Sequence, residues 1–258
     1  MSAPLLGASD PAPFLLFPEK KPSPFVFVSE HAGRAVPDAL GDMWVQTEDW
    51  ERHIAWDIGI VGVGRVLHET LGSALIEQVY SRLVIDCNRA PGHPTSMPLV
   101  SDGTPIPVNQ AAQETCRAKR EREILHPYHD TIAEVLTERG PRPTALIALH
   151  SFTPQMNGMD RPWQVGILHN QDSRMASIAL ELLREDKTLC VGDNEPYVLT
   201  DASDYTVPRH AEAGGLPYLE IEIRQDLIAE KTGQREWAAR LAVLLPKVWE
   251  RLAEGAGA

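Results

Sequence analysis

The stretch ALIALHSFTP, residues 145–154, is an apolar run that stops at a histidine. A short continuous apolar run closed by a turn residue reads as a strand buried on both faces. Pro154 ends it, because proline offers no N–H to a sheet ladder. An imidazole and a hydroxyl, His150 and Ser151, therefore stand side by side at the carboxyl end of a buried strand. In an open α/β sheet, ligands gather beyond those ends.

Strand-like and helix-like segments alternate on either side of this run. PFVFVSE (24–30), SALIEQVYS (73–81), LVIDCNR (83–89), QVGILHN (164–170) and PYLEIEIRQ (217–225) read as strands. HIAWDIGIVGVGRVLHETLG (53–72) carries apolar residues at helical spacing, with Gly72 as its C-terminal stop. Further helices are predicted over 113–139, kinked or broken at Pro127, over 173–186 and over 235–253. The alternation predicts one α/β domain over 25–258, with three layers and a mixed, mostly parallel central sheet flanked by helices. The proline-rich residues 1–24 read as an arm over the surface, and neither a repeat nor a linker divides the rest.

Composition narrows the function. In the 258 residues, 36 acidic against 24 basic side chains give a formal net charge of -12. Such a surface repels phosphate backbones, which sets nucleic acid aside as a main ligand but leaves room for a local basic pocket holding a small anion. Cys87, Cys116 and Cys190 are odd in number and widely spaced, which fits reduced thiols in a cytosol. The N-terminus has no basic region followed by a long apolar one, and no apolar run approaches the roughly 20 residues of a membrane helix. A cytoplasmic protein without membrane contact is expected, of an oligomeric state the sequence leaves open.

Polar clusters stand where strands should end: Glu30-His31, Arg82, Asp86 with Asn88-Arg89, His150-Ser151, His169-Asn170, and Glu222 with Arg224. A catalytic zinc takes three ligands from His, Asp or Glu and keeps one position open. His31 and His150 are the natural nitrogen donors. Asp57, where a helix should begin, is preferred as the third ligand over Glu30, which converges with His31 only if the strand has already broken. Arg82, Asn88 and Arg89 flank an apolar stretch and suit a carboxylate, although an ion pair with Asp86 would explain an arginine equally. Glu220 and Glu222 share one strand face, where a carboxylate is costly unless paired or used, and Glu222 suits a general base. Strand alternation would turn Cys87 away from Asp86 and Asn88, against a thiol nucleophile. Ser151 lacks the G-x-S-x-G elbow, and the glycines of GIVGVGRVLHE do not match a dinucleotide loop.

Taken together, the blocks SEHAG, HIAWDIG, YSRLVIDCNR, PYH, LHSFTP, RPWQVGILHN, NEPY, DYTV and HAEAGGLPYLEIEIRQDLI resemble the N-formylglutamate amidohydrolase family from about Pro24 to Leu241. That family is in turn similar to zinc carboxypeptidases, which implies a zinc-carboxypeptidase-like fold. Their HSY, ELR and DANR blocks match His150-Ser151-Phe152, Glu222-Ile223-Arg224 and Asp86-Cys87-Asn88-Arg89. Their close H-x-x-E spacing is absent here, because residues 32–56 intervene between His31 and Asp57. The resemblance implies zinc on His31, Asp57 and His150, with Glu222 as general base and Arg82 as oxyanion donor. It also implies Asn88 and Arg89 on the substrate carboxylate, with Arg224 beside them. The implied reaction is hydrolysis of a small N-acyl amino acid, N-formyl-L-glutamate giving formate and glutamate. The EHAG block departs from the PHSG form of better-described deformylases.

Overall fold

The computed structural model describes residues 3–112 and 114–255. Its strands are β1 (Phe14–Phe17), β2 (Phe25–Ser29), β3 (Ala74–Gln78), a hairpin of β4 (Val100–Ser101) and β5 (Thr104–Pro105), β6 (Ala145–Phe152), a hairpin of β7 (Gln155–Met156) and β8 (Met159–Asp160), β9 (Val165–Leu168), β10 (Val191–Asp193) and β11 (Tyr218–Arg224). Seven of them form one sheet in the order β1-β3-β2-β6-β11-β9-β10. The middle strands β3, β2, β6 and β11 run parallel, while β1 and the β9-β10 pair run against them. The sheet is mixed and mostly parallel.

All eight residues of β6 are buried, because helices and loops cover both faces. Period-two alternation sorts the side chains into two cores. Phe25, Phe27, Ile147, Leu149, Leu219 and Ile221 pack with α1 (Ile60–Leu71) and, beyond a short helical turn α2 (Pro107–Gln110), with helices later in the chain. The opposite face carries Val26, Val28, Leu146, Ala148 and Tyr218. It is covered by Ile124 and Leu125 of a π-helical turn (Glu121–Leu125) that follows α3 (Glu114–Arg120), and by Tyr128 and Ile132 of α4 (His126–Glu138). The first face is completed by α5 (Arg174–Leu183) and, after the short α6 (Thr206–His210), by α7 (Lys231–Gly255). Three layers result, flanked by helices as the pattern predicts.

Three local expectations change. LVIDCNR is a series of turns, with Val84 and Arg89 donating N–H bonds to Ser81 and Asp86 carbonyls. Leu83, Val84, Ile85 and Cys87 are nonetheless buried, and this burial gives the segment its strand-like apolarity. The arm contributes an edge strand: β1 pairs antiparallel with β3, Phe14 opposite Gln78. The helix predicted over 113–139 keeps its course through the π turn, which precedes Pro127 in the first turn of α4; Gln113 lies outside the described residues. No helix among the described residues is long and apolar enough to cross a membrane.

Candidate active site

The site is built where β2, β6 and β11 end. β2 breaks after Ser29, so Glu30 and His31 lie in a turn and no longer alternate. Gly33 permits that turn, because a Cβ there would stand 1.8 Å from the Val79 carbonyl oxygen. The His31 carbonyl accepts the Asp57 N–H at 2.9 Å. Asp57 precedes α1 by three residues, and Gly59, at φ 83°, supplies the left-handed conformation that leads into the helix. Ser151 braces this loop: its N–H donates to Asp57 Oδ2 at 3.1 Å and its hydroxyl to the Ile58 carbonyl at 2.9 Å.

His31, Asp57 and His150 each offer a ligand atom, all within 4.8 Å of one another, and all three residues are buried. Asp57 Oδ2 lies 3.6 Å from His31 Nδ1 and 3.0 Å from His150 Nδ1. The far nitrogen of each ring faces another carboxylate. His31 Nε2 bonds Asp86 Oδ1 at 2.8 Å, and His150 Nε2 lies 3.1 Å from Glu30 Oε2, a charge contact poorly aligned as a hydrogen bond. Carboxylates behind histidines are the usual outer shell of a metal site. His31 Nδ1, buried and without a hydrogen-bond partner, faces the shared point. The group could therefore hold a metal ion, and two imidazoles with one carboxylate suit a catalytic zinc. Glu30 backs His150 from the opposite side, away from Asp57.

Charges around this group are tightly matched. Arg82 donates to Asp57 Oδ1 at 3.3 Å and Asp86 Oδ2 at 3.0 Å. Asp86 also accepts the Asn88 N–H at 2.9 Å, so it joins His31, Arg82 and the turn that follows. Burial disfavours charge on all of these groups, but the cationic partners prevail, holding Asp57 and Asp86 far below the usual carboxylate range. Glu30 is lowered to about 2, as His150 outweighs burial. Burial and Arg82 oppose a charge on His31, yet Asp86 and Asp57 raise it; Asp57 and Glu30 raise His150 against its burial.

Glu222 of β11 lies in register with His150 of β6, and Glu220 with Ala148. Both glutamates are buried and line one cavity of about 530 Å³ with His31, Asp57, Arg82 and His150. Burial raises the Glu222 carboxyl to about 8, with Asp57 adding to the shift and His150 opposing it. Asn88 and Arg89 also line the cavity. The Asn88 amide ties down the chain opposite, donating to Asp204 at 2.8 Å and accepting the N–H groups of Tyr205 and Thr206. Arg89 Nη1 donates to the carbonyls of Asn88 and Ser203 and Nε to Thr95, which leaves Nη2 without a protein partner among the described residues. Arg224 is not brought to this cavity; its guanidinium bonds Asp226 and the Arg161 carbonyl.

Sequence reasoning assigned no role to Asp204 or Tyr197, which also line the cavity. They occur in DYTV and NEPY, blocks visible only as parts of the family pattern. Cys87, fully buried, has its thiol raised well above the ordinary range, first by burial and then by Asp86. Burial disfavours a thiolate nucleophile where the expected strand alternation does not apply.

The crystal structure of gene product Atu2144 from Agrobacterium tumefaciens is similar to this chain at 33% identity and a TM-score of 0.92, over 96% of this chain and 99% of that one. The crystal structure of N-formylglutamate amidohydrolase from Ralstonia eutropha JMP134 shares the fold at 20% identity and a TM-score of 0.67, over 95% and 99% of the two chains. No curated protein matches the sequence. The family model described as N-formylglutamate amidohydrolase matches residues 23–229, a span that opens just before β2, closes just after β11 and so contains every group gathered around the cavity. With that match over most of its length, the chain belongs to the N-formylglutamate amidohydrolase family and is a hydrolase.

Proposed function

We propose that the chain is a zinc-dependent amidohydrolase that cleaves an N-acyl amino acid, with N-formyl-L-glutamate, split into formate and L-glutamate, as the reference member of its substrate class. The observation that carries this reading is one cavity holding both the His31-Asp57-His150 donor set and Glu222, a buried carboxylate without a strong cationic partner. A zinc ion held by those three residues would supply Lewis-acid polarisation and lower the pKa of water. Glu222 takes a proton from the attacking water and delivers it to the amide nitrogen as the C–N bond breaks. Arg82, fixed by Asp57 and Asp86, directs remaining N–H bonds toward the oxygen on which negative charge develops. Arg89 Nη2 meets the substrate's α-carboxylate, and Asn88 holds the facing wall. Three unpaired cysteines fit action in a reducing cytoplasm.

The test is a panel of N-formyl and N-acetyl amino acids, assayed for release of the acid with and without added zinc. The expected result is metal-dependent formate release that a chelator abolishes. Full activity in metal-stripped protein, or no cleavage of any member, would end this reading.

A further inference from the structure

Glu30 is not among the converging donors and does not line the cavity. It reaches neither the ion nor the substrate, so any effect it has on the reaction passes through a neighbour. Its side chain is fully buried, and its one ion-pair contact among the described residues is with His150, whose Nε2 lies 3.1 Å from Oε2. The contact is fixed by the two strands that end there. The Ser29 hydroxyl, one residue before Glu30, donates at 3.0 Å to the carbonyl of Leu149, one residue before His150. A buried carboxylate that no arginine or lysine offsets is costly unless it is put to use.

Asp86, the carboxylate behind His31, differs. It is shared by His31, Arg82 and the Asn88 N–H. Glu30 is given over to one imidazole. It also stands at one of the two positions where EHAG departs from the PHSG form, and a proline there would offer His150 no side-chain acceptor.

His150 has use for such a partner, because Asp57 competes for its proton. Asp57 Oδ2 lies 3.0 Å from Nδ1, on the side of the ring that faces His31 and the shared point. A neutral imidazole carries one proton. On Nδ1 that proton bonds Asp57 and closes the nitrogen to an ion. On Nε2 it leaves the Nδ1 lone pair free. A carboxylate beside Nε2 favours the second arrangement by its charge, even off the N–H axis.

We propose that Glu30 is a positioning residue for the metal group, which keeps the proton of His150 on Nε2 and so turns the Nδ1 lone pair toward the ion. The inference rests on the His31-Asp57-His150 donor set of the reading above and adds to it the residue that sets one donor's tautomer.

The first test needs no variant. In zinc-loaded wild type with isotopically labelled histidine nitrogens, NMR should show His150 protonated on Nε2 and not on Nδ1. A proton on Nδ1 overturns the inference. Glu30→Gln keeps the shape and removes the charge. Measured by competition with a chelator, its zinc affinity should fall about tenfold to a hundredfold, as loss of a carboxylate behind a ligating histidine does. Circular dichroism should be unchanged, and KM at saturating zinc should stay near wild type, since Glu30 does not line the cavity. Unchanged zinc affinity overturns the inference. Complete loss of zinc from a folded variant also overturns it, because Glu30 would then be a ligand. These zinc measurements use no substrate, so failure to cleave any N-formyl amino acid ends the hydrolytic reading alone. If the wild type binds no zinc, the donor set fails and the inference falls with it. Should Glu30→Gln not fold, the wild-type spectrum decides.

Discussion

Two pairs of carboxylates share the cavity and are treated in opposite ways. Asp57 and Asp86, from loops beyond the strand ends, are surrounded by Arg82, His31 and His150 and held in the charged form. Glu220 and Glu222, from inside a strand, have no partner of that strength and are pushed toward the neutral form. The difference is one of backbone. Loops can bring a cation to each carboxylate oxygen, whereas a parallel strand places its neighbours at fixed registers, here Ala148 and His150. Groups whose environments push their pKa values apart are suited to different tasks. The paired acids hold charge in place, and the unpaired ones move a proton or meet a ligand.

The sharpest break of this contrast is on the paired side. His150→Ala removes one of three donors and leaves Asp57 and Glu30 without their shared imidazole. Zinc content should fall from about one per chain toward none, and turnover with it, while circular dichroism keeps the fold. Full zinc retention would remove His150 from the ligand set. The wild type should bind zinc more weakly as pH falls. The carboxylates raise His31 and His150, so both keep protons above the ordinary imidazole range, and these must leave as metal enters. Affinity therefore rises with pH through and above the ordinary imidazole range near about 6.5, and a flat profile would contradict the assignment.

On the unpaired side, Glu222→Gln keeps the shape and removes the proton acceptor. General-base assistance is worth ~10²–10⁴-fold, so turnover should drop by at least about a hundredfold. Zinc content should stay near wild type, since Glu222 is not among the converging donors. Wild-type turnover in this variant would make Glu222 a wall residue. Loss of zinc would make it part of the metal group.

The fold was legible where periodicity alone decides it. The apolar run of β6, the alternation of β11 and the spacing of α1 each have one reading, and together they place histidines and glutamates at one sheet edge. LVIDCNR reads as a strand because a turn buried beside α4 is as apolar as one, and no Gly or Pro interrupts it before Pro91. The choice between Glu30 and Asp57 depends on where β2 stops, and no glycine or proline marks that point between Ser29 and Glu30. Asp86 stands in a recognisable block, but its three simultaneous acceptances belong to tertiary structure. Arg224 stands near Glu222 in sequence, yet turns to Asp226.

A smaller effect is expected at Arg89, which belongs to neither pair and offers one free edge. If that edge holds an α-carboxylate, Arg89→Ala should raise KM for free-acid substrates about tenfold to a hundredfold, as loss of a charge-assisted hydrogen bond does. The corresponding amides should change far less. Equal losses for acid and amide would mean that Arg89 serves only to join Asn88, Thr95 and Ser203.

The smallest effect tests the contrast in histidines. His31 and His150 are raised by carboxylates, whereas burial lowers His129 to about 4 and His210 to about 3. At His129 the Cys87 carbonyl and then Glu30 oppose burial, with Arg209 adding to it; at His210 the neighbouring His129 and then Arg209 add to burial, with Glu30 opposing. His129 Nε2 donates to the Cys87 carbonyl at 2.7 Å, so its Nδ1 accepts from His210 Nε2 at 2.9 Å. The chain fails when both rings carry a proton, since two N–H groups would then face each other, and it ties the DCNR turn to α6. As pH falls from about 6.5 toward 4, the unfolded chain takes up protons that the folded one refuses, and stability declines. His210→Gln keeps an N–H for His129 and removes one titrating group. Thermal midpoints of wild type and variant should differ little at pH 7.5. By pH 5 the wild type should have lost a few degrees more, a shift on the order of 1 kcal/mol in a chain of this size. Parallel profiles would mean that the pair accepts protons without cost, and that a neutral imidazole chain does not hold this turn.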